Sequence, residues 1–134
     1  MPADVERDST SYPRQVRGGT AAEGALIAIG VESWRLSRLF KRALEKLDLN
    51  EANRFESQLR YFERKLEGHL SDAGIRLVTV EGDRFDPGMA ATALNAADFS
   101  GDQDLIVDQM IEPIVMGKDG LLREGVVLLA RKSR

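Results

Sequence analysis

A change in hydrophobic periodicity at Gly74 constrains the fold of this chain more than any other feature of its sequence. The apolar residues that precede it recur at spacings of four, three, four and four: Phe55, Leu59, Phe62, Leu66 and Leu70. This pattern predicts an amphipathic helix with one apolar seam that requires a partner. Gly74 has the residue type and position of a helix-ending glycine, because glycine enters the left-handed conformation at little cost.

The sequence beyond Gly74 has the residue composition that is typical of β-strands. A β-branched run over residues 75–80 is closed by Gly82 and Asp83, which predicts a strand followed by a turn. Residues 85–98 are rich in alanine and open with Asp-Pro-Gly, so a short helical turn, a loop and a strand all fit this segment. A structural boundary is therefore expected at Gly74.

A pair of strands is predicted near the C-terminus. Residues 105–116 and 121–130 are rich in apolar and β-branched side chains, and they flank a Gly-Lys-Asp-Gly connection. Such a pair predicts an antiparallel hairpin. Pro113 lies inside the first strand, where its missing N–H predicts an edge position or a bulge.

Upstream of the seam, residues 21–47 also have helical spacing. The residues that carry this spacing, apart from one longer step past Ser33, are Ile29, Leu36, Phe40, Ala43 and Leu47. Asp48, with Glu51 three residues later, resembles a capping box that starts a new helix. Two arrangements fit: a tight helical hairpin or one kinked helix. The seam of the second helix then packs against the first helix of the same chain or against a second copy.

These patterns predict an α+β protein of 134 residues in three parts. Residues 1–20 are polar and interrupted by proline and glycine, and are expected to form a flexible tail. Residues 21–74 form a helical stalk or dimerisation region, and residues 75–134 form a small C-terminal β-domain. The apolar stretch at residues 25–31 is too short to cross a membrane, and no signal peptide is recognised, so a cytoplasmic protein is expected.

Composition and motifs argue against several classes of function. The net charge of −3 arises from 19 basic and 22 acidic residues mixed along the chain, so nucleic-acid binding is not expected. The chain has no cysteine, which excludes disulfides and thiolate metal sites. His69, the only histidine, lies in a charged helical segment beside the apolar seam and lacks a nearby cysteine or serine constellation, so a structural or exposed role is expected. Asp102 and Asp104 do not complete a calcium loop, and residues 117–120 lack the spacing of a phosphate loop. No enzyme activity, metal or cofactor is expected.

Three segments resemble the GrpE family, in which a paired helix ends at a glycine and leads into a compact β-domain. Residues 72–78 (DAGIRLV) resemble the family's helix exit, and residues 81–87 (EGDRFDP) resemble its glycine-x-x-phenylalanine-aspartate-proline segment at the expected distance. Residues 119–131 (DGLLREGVVLLAR) resemble its closing hairpin. Together these matches extend from about residue 59 to residue 131.

Two segments depart from the family pattern. Residues 89–93 (MAATA) stand where the family carries a histidine-glutamate-alanine run, and residues 113–115 (PIV) stand where it carries lysine-glycine-tyrosine. The helical region, about 50 residues at 1.5 Å per residue, is also too short for the full family stalk.

The resemblance implies a homodimer whose β-domain binds the nucleotide-binding domain of a DnaK-type chaperone and promotes ADP release. Its implied contact residues are Phe85, Asp86, Pro87, Arg123 and Leu129. Gly74 would set the angle between the helices and the β-domain. Two of these assignments have a clear structural alternative. Phe85 also fits a core anchor of the β-domain. Leu129 lies on a strand whose side chains alternate between faces, so it fits a buried position as well as a contact.

Two other functions fit the sequence. The first is a scaffold or adaptor that keeps the GrpE-like shape without exchange activity and binds a divergent chaperone or another protein. The departures at residues 89–93 and 113–115 favour it. The second is a generic coiled-coil module, which explains the helical seam but leaves the spacing between Gly74 and Pro87 as a coincidence.

Overall fold

The computed structural model describes residues 20–99, 101 and 104–132. Two helices precede a β-region, as the predicted α+β class requires. The helices are α1 (Ala21–Leu44) and α2 (Leu49–Asp72). The strands are β1 (Arg76–Val78), β2 (Ala91–Ala93), β3 (Leu105–Glu112), β4 (Ile114–Gly117), β5 (Gly120–Arg123) and β6 (Gly125–Arg131), with a 3-10 turn at Ala96–Asp98. Apart from Thr20, the predicted tail lies outside the described residues, and so does Asp102.

Both helices begin at side-chain caps. The Thr20 hydroxyl accepts a hydrogen bond from the Glu23 amide, and an Asp48 carboxylate oxygen accepts one from the Glu51 amide at 3.0 Å. These caps satisfy amides that have no partner within the first helical turn. The start of α2 at Asp48 is thereby confirmed as predicted.

The helices form a hairpin rather than one kinked helix. Phe40 of α1 contacts Phe55 of α2 with ring centroids 6.4 Å apart, whereas Gly30, earlier in α1, lies against Leu70, later in α2. Contacts that run in opposite directions along the two segments define antiparallel helices. The α2 seam therefore has a partner within the same chain.

Helix α2 ends at Asp72, and Gly74 lies directly after its cap, where the sequence predicts the helix-ending glycine. Gly74 has a φ of +77°, and its amide donates to the Ser71 carbonyl. The Ile75 amide donates to the Leu70 carbonyl at 2.9 Å, and both of these side chains are buried in one cluster. This is a Schellman ending with its apolar contact, in which the left-handed glycine turns the chain from α2 into β1.

The strands form two three-stranded sheets. One sheet has the order β1-β4-β5 and the other the order β2-β6-β3. The predicted hairpin is present, because β4 pairs with β5 and β3 pairs with β6, both antiparallel. Pro113 is buried between β3 and β4, where the chain passes from one sheet to the other, and a bulge between Met110 and Glu112 precedes it.

The segment that the sequence left open contains β2 and the 3-10 turn. Strand β2 pairs in parallel with β6, from Ala91 opposite Gly125 to Ala93 opposite Val127. The Asn95 side chain extends this pairing, because its oxygen accepts from the Leu129 amide and its nitrogen donates to the Leu129 carbonyl. An amide side chain thus continues the sheet where the strand itself stops.

Two hydrophobic clusters connect the helices with the sheets. The first contains Ile27 and Val31 of α1, Leu70 of α2, Ile75, and Val115 and Leu122 of the first sheet. The second contains Val107, Met110, Ile114, Val127 and Leu129, with Trp34 of α1 packed against it. Helix α1 therefore contacts both clusters. The apolar side chains that it buries against the sheets hold the hairpin against the β-region.

Candidate interaction surfaces

The described part of the chain contains no metal centre. Across residues 20–99, 101 and 104–132, no group of three or more His, Asp or Glu side chains is arranged to hold an ion. His69 is exposed on α2. Neither described helix combines the length and the apolar composition needed to cross a membrane.

The most exposed apolar surface lies on the hairpin. We call it the outer hairpin face, and it consists of Ile29 (61 % exposed), Leu36 (64 %), Phe40 (37 %), Phe55 (40 %) and Phe62 (41 %). The first three follow helical spacing on α1, and the last two are two turns apart on α2. The edge-to-face contact between Phe40 and Phe55 joins the two sets into one surface.

The predicted seam of α2 is divided between two environments. Leu59 and Leu70 are buried, and the half-buried Leu66 packs against the first core cluster. Phe55 and Phe62 belong to the outer hairpin face instead. The seam thus supplies both the packing within the chain and part of an exposed apolar surface.

Helix α1 carries a second apolar stripe that its spacing alone did not single out. The predicted residues Ile29, Leu36, Phe40, Ala43 and Leu47 are all exposed, whereas Ile27, Val31 and Leu44 are buried. The side chains that face the sheets include small and polar residues such as Gly30 and Ser37, so this stripe is less apolar in the sequence than the outer one.

The contact residues implied by the resemblance occupy different environments. Phe85 is half-buried against the second core cluster, and Leu129 is a buried member of it. The Arg123 side chain is only 12 % exposed and pairs with Glu112 at 3.0 Å. Asp86 and Pro87 are exposed, and an Asp86 carboxylate oxygen accepts from the Gly88 amide.

The exposed turn and Arg123 are not brought together. The Phe85 amide, next to Asp86, donates to the carbonyl of Leu105 at the start of β3, whereas Arg123 pairs with Glu112 at the end of β3. An eight-residue strand separates its ends by roughly 20 Å. These residues therefore do not form one contact patch.

Leu94 is an exposed candidate contact that the sequence did not single out. It follows β2 and is 64 % exposed, while its amide is held by the Val127 carbonyl. The half-buried Ala91 and Ala93 alternate with the exposed Thr92, which is the pattern of a strand. That alternation is too short among alanines to recognise in the sequence.

Two arginines of α1, one turn apart, join the helix to the β-domain. Arg38 pairs with Glu81, and its guanidinium stacks over the Trp34 ring at 4.7 Å. Arg35 pairs with Glu112 at 3.2 Å, the carboxylate that also holds Arg123. These ion pairs therefore connect α1 with the segment after β1 and with the end of β3.

Glu81 connects α1 with β3 at this junction. One oxygen accepts both from Arg38 and from the Met110 amide, the latter at 2.8 Å. Partial burial raises the pKa of Glu81, but the Met110 hydrogen bond and the Arg38 hydrogen bond and charge outweigh it. The pKa therefore lies below the usual 4.5. Glu81 is ionised at neutral pH and covers an amide on the outer edge of β3.

Comparison with family models, with curated proteins and with solved structures finds no significant match to this chain.

Proposed function

We propose that this chain is a GrpE-like co-chaperone, a non-enzymatic cytoplasmic protein that binds the nucleotide-binding domain of a DnaK-type chaperone and promotes ADP release. The observation that carries this proposal is the order of its elements. A helical hairpin ends at the left-handed Gly74 and leads directly into a β-domain of two small sheets. The segments that resemble the family lie at the helix exit, at the Asp86 turn and at the β4–β5 turn.

The outer hairpin face supports a dimer as the working form. Each of its five side chains leaves on the order of 100 Å² exposed, so the face presents about 500 Å² of apolar surface. A standard interface buries about 800 Å² per partner, with a polar rim around an apolar centre. A second copy applied to this face would supply the apolar partner that residues 20–99, 101 and 104–132 do not.

The proposed activity requires differential binding and no bond chemistry. A factor that binds the open, nucleotide-free form of the chaperone more tightly than the closed form shifts the population toward the open form. A coupling free energy of about 3 kcal/mol would lower the affinity for ADP roughly 150-fold. The exposed residues of the β-domain that suit such a contact are Asp86, Pro87 and Leu94.

A scaffold or adaptor without exchange activity is the second candidate. The observation that favours it is the environment of Arg123 and Leu129, since the first is held by Glu112 and the second is in the core. Neither side chain is free to contact a partner in the way the resemblance implies. An adaptor would still use the outer hairpin face and the same exposed turn.

Release of a fluorescent ADP analogue from the DnaK-type chaperone of the same organism tests the proposal. The wild-type chain is expected to accelerate release, and Leu94→Asp is expected to reduce the acceleration at least tenfold. Leu49→Asp is the matched control, because Leu49 is 75 % exposed at the start of α2 and belongs to the helical hairpin.

The remaining outcomes separate the candidates. If the two proteins bind while release is unchanged, the adaptor function replaces the exchange function. If they do not bind, neither chaperone function stands, and the likeness to GrpE is one of fold alone. Equal losses in Leu94→Asp and Leu49→Asp would place the contact outside the β-domain.

A further inference from the structure

A groove of about 680 Å³ lies between α1 and residues 109–111 of β3. It is separate from the exposed turn of the β-domain, and it meets the outer hairpin face only at Leu36. The basic side chains that line it are Arg35, Arg38, Lys41 and Arg42. Its apolar lining includes Leu39, which is 56 % exposed, and Ile111. The volume is within the range of about 300–1,000 Å³ that is typical of ligand sites.

The charge of this groove differs from that of the chain. The groove is lined by four basic residues and by two acidic residues, Glu32 and Glu45, in a protein whose net charge is −3. Basic residues near the end of a helix also complement its dipole, which accounts for part of this bias. Their placement over a groove with apolar walls is not explained by the dipole.

The basic side chains of the groove are not all neutralised. Arg35 and Arg38 are paired with Glu112 and Glu81. Lys41 and Arg42 form no ion pair with any residue between 20 and 132 that the structure describes, although Glu32 and Glu45 also line the groove. As far as the described residues go, two cations beside exposed apolar side chains therefore remain available to an anionic partner.

Backbone groups at the edge of β3 beside the groove already have hydrogen-bond partners. The outward amide of Met110 donates to Glu81, and the Gly82 amide donates to the Val107 carbonyl. A partner in the groove would therefore be recognised by side chains rather than by strand pairing. Carboxylates and apolar side chains on one short segment would match what the groove presents.

We propose that this groove binds an acidic peptide segment of another protein. Carboxylates of the segment pair with Lys41 and Arg42, and its apolar side chains cover Leu39 and Ile111. Trp34, which lines the groove beneath Arg38, senses the bound segment. This site is independent of the proposed exchange activity, because it uses neither the exposed turn nor Leu94.

The test uses the full chain and a library of octapeptides that alternate Asp or Glu with random apolar residues. Peptides selected on the immobilised protein are resynthesised and titrated in solution. Trp34 is the only tryptophan, so its emission reports binding. Lys41→Glu with Arg42→Glu is expected to weaken binding at least tenfold, and 0.5 M salt is expected to weaken it too. The matched control is Arg64→Glu with Lys65→Glu, an equal charge change on the exposed side of α2.

Three results would overturn the proposal. The first is a selection that yields no peptide able to change the Trp34 emission. The second is a peptide that binds the Lys41→Glu, Arg42→Glu variant as tightly as the wild type. The third concerns the chain's own acidic residues Asp4, Glu6 and Asp8. If their conversion to Asn, Gln and Asn shifts the Trp34 emission of the free protein and tightens peptide binding, the occupant is the N-terminal segment of the chain.

Discussion

The two sides of the helical hairpin differ in what covers them. Toward the sheets, Ile27, Val31 and Trp34 pack into two core clusters, and Arg35 and Arg38 pair with glutamates of the β-domain. On the opposite side, Leu36 and the other members of the outer hairpin face remain in contact with solvent.

This difference separates folding from association. The side toward the sheets is complementary to the chain's own β-domain, in apolar shape and in charge. The outer hairpin face is also apolar but has no partner within the described chain. Burial on the first side stabilises the protomer, whereas burial on the second requires another molecule. Substitutions on the two sides should therefore have different signatures.

The largest effect is expected from Leu70→Ala. Leu70 is 2 % exposed and lies between the helices and the first sheet, so its truncation leaves a cavity. The free energy of unfolding should fall by about 3 kcal/mol, measured by urea denaturation at a fixed protein concentration. Leu49→Ala, at an exposed position, should change it by less than about 0.5 kcal/mol. Equal losses in the two variants would contradict the assignment of the core.

A weaker effect, specific to association, is expected from Leu36→Glu. A carboxylate at the centre of the outer hairpin face should weaken the dimer by about a hundredfold, because the charge would lose its hydration in the interface. Sedimentation equilibrium measures the dissociation constant, and circular dichroism checks that the helices persist. A wild-type chain that is monomeric at high micromolar concentration would exclude this face as a dimer surface.

Gly74→Ala tests the turn that joins the hairpin to the β-domain. Alanine at a φ of +77° is strained, and its Cβ would lie 2.9 Å from the Lys118 side chain. A loss of about 1–2 kcal/mol in unfolding free energy is expected. Gly68→Ala is the matched control, since it lies within α2 with nothing near its Cβ, and it should gain about 0.5–1 kcal/mol. A gain in both variants would show that Gly74 does not need the left-handed conformation.

The smallest effect concerns the polar contact at Glu81. Glu81→Gln should cost about 1 kcal/mol at pH 7, because the charged bonds to Arg38 and Met110 are weakened at a partly exposed site. The folded-state pKa of Glu81 is below 4.5, so its stabilisation is present above that pH and lost as the pH falls through the folded pKa. Urea denaturation at several pH values should show a difference between wild type and variant that is constant from pH 6 to 8 and shrinks below pH 4.5.

Glu67→Gln, at an exposed position of α2, is the control for this series. It should leave the unfolding free energy nearly unchanged at pH 7. The difference in unfolding free energy between wild type and Glu81→Gln should not grow as the pH falls. Such growth would contradict an ionised Glu81 that stabilises the fold.

Local features of this fold were predictable from the sequence. The capping oxygen of Asp48, the left-handed Gly74 and the β4–β5 hairpin all depend on residues within a few positions of one another. Short-range sterics and hydrogen bonding determine such features, so the sequence pattern carries them.

Features that depend on distant residues were not predictable. Arg35 and Glu112 are 77 residues apart, and β2 lies in parallel against a strand more than 30 residues away. Arg123 of β5 forms an ion pair with Glu112 of β3. The sequence does not show that these two residues lie close together. Periodicity also did not identify which stripe of α1 faces the sheets, because both stripes have helical spacing.

The proposed exchange function is tested most directly by the affinity of this chain for the nucleotide-binding domain of the DnaK-type chaperone, measured by calorimetry with and without saturating ADP. Coupling between two ligands is reciprocal, so a factor that expels ADP must itself bind at least tenfold more weakly when ADP is present. Equal affinity in the two conditions, or no binding in either, would contradict the account.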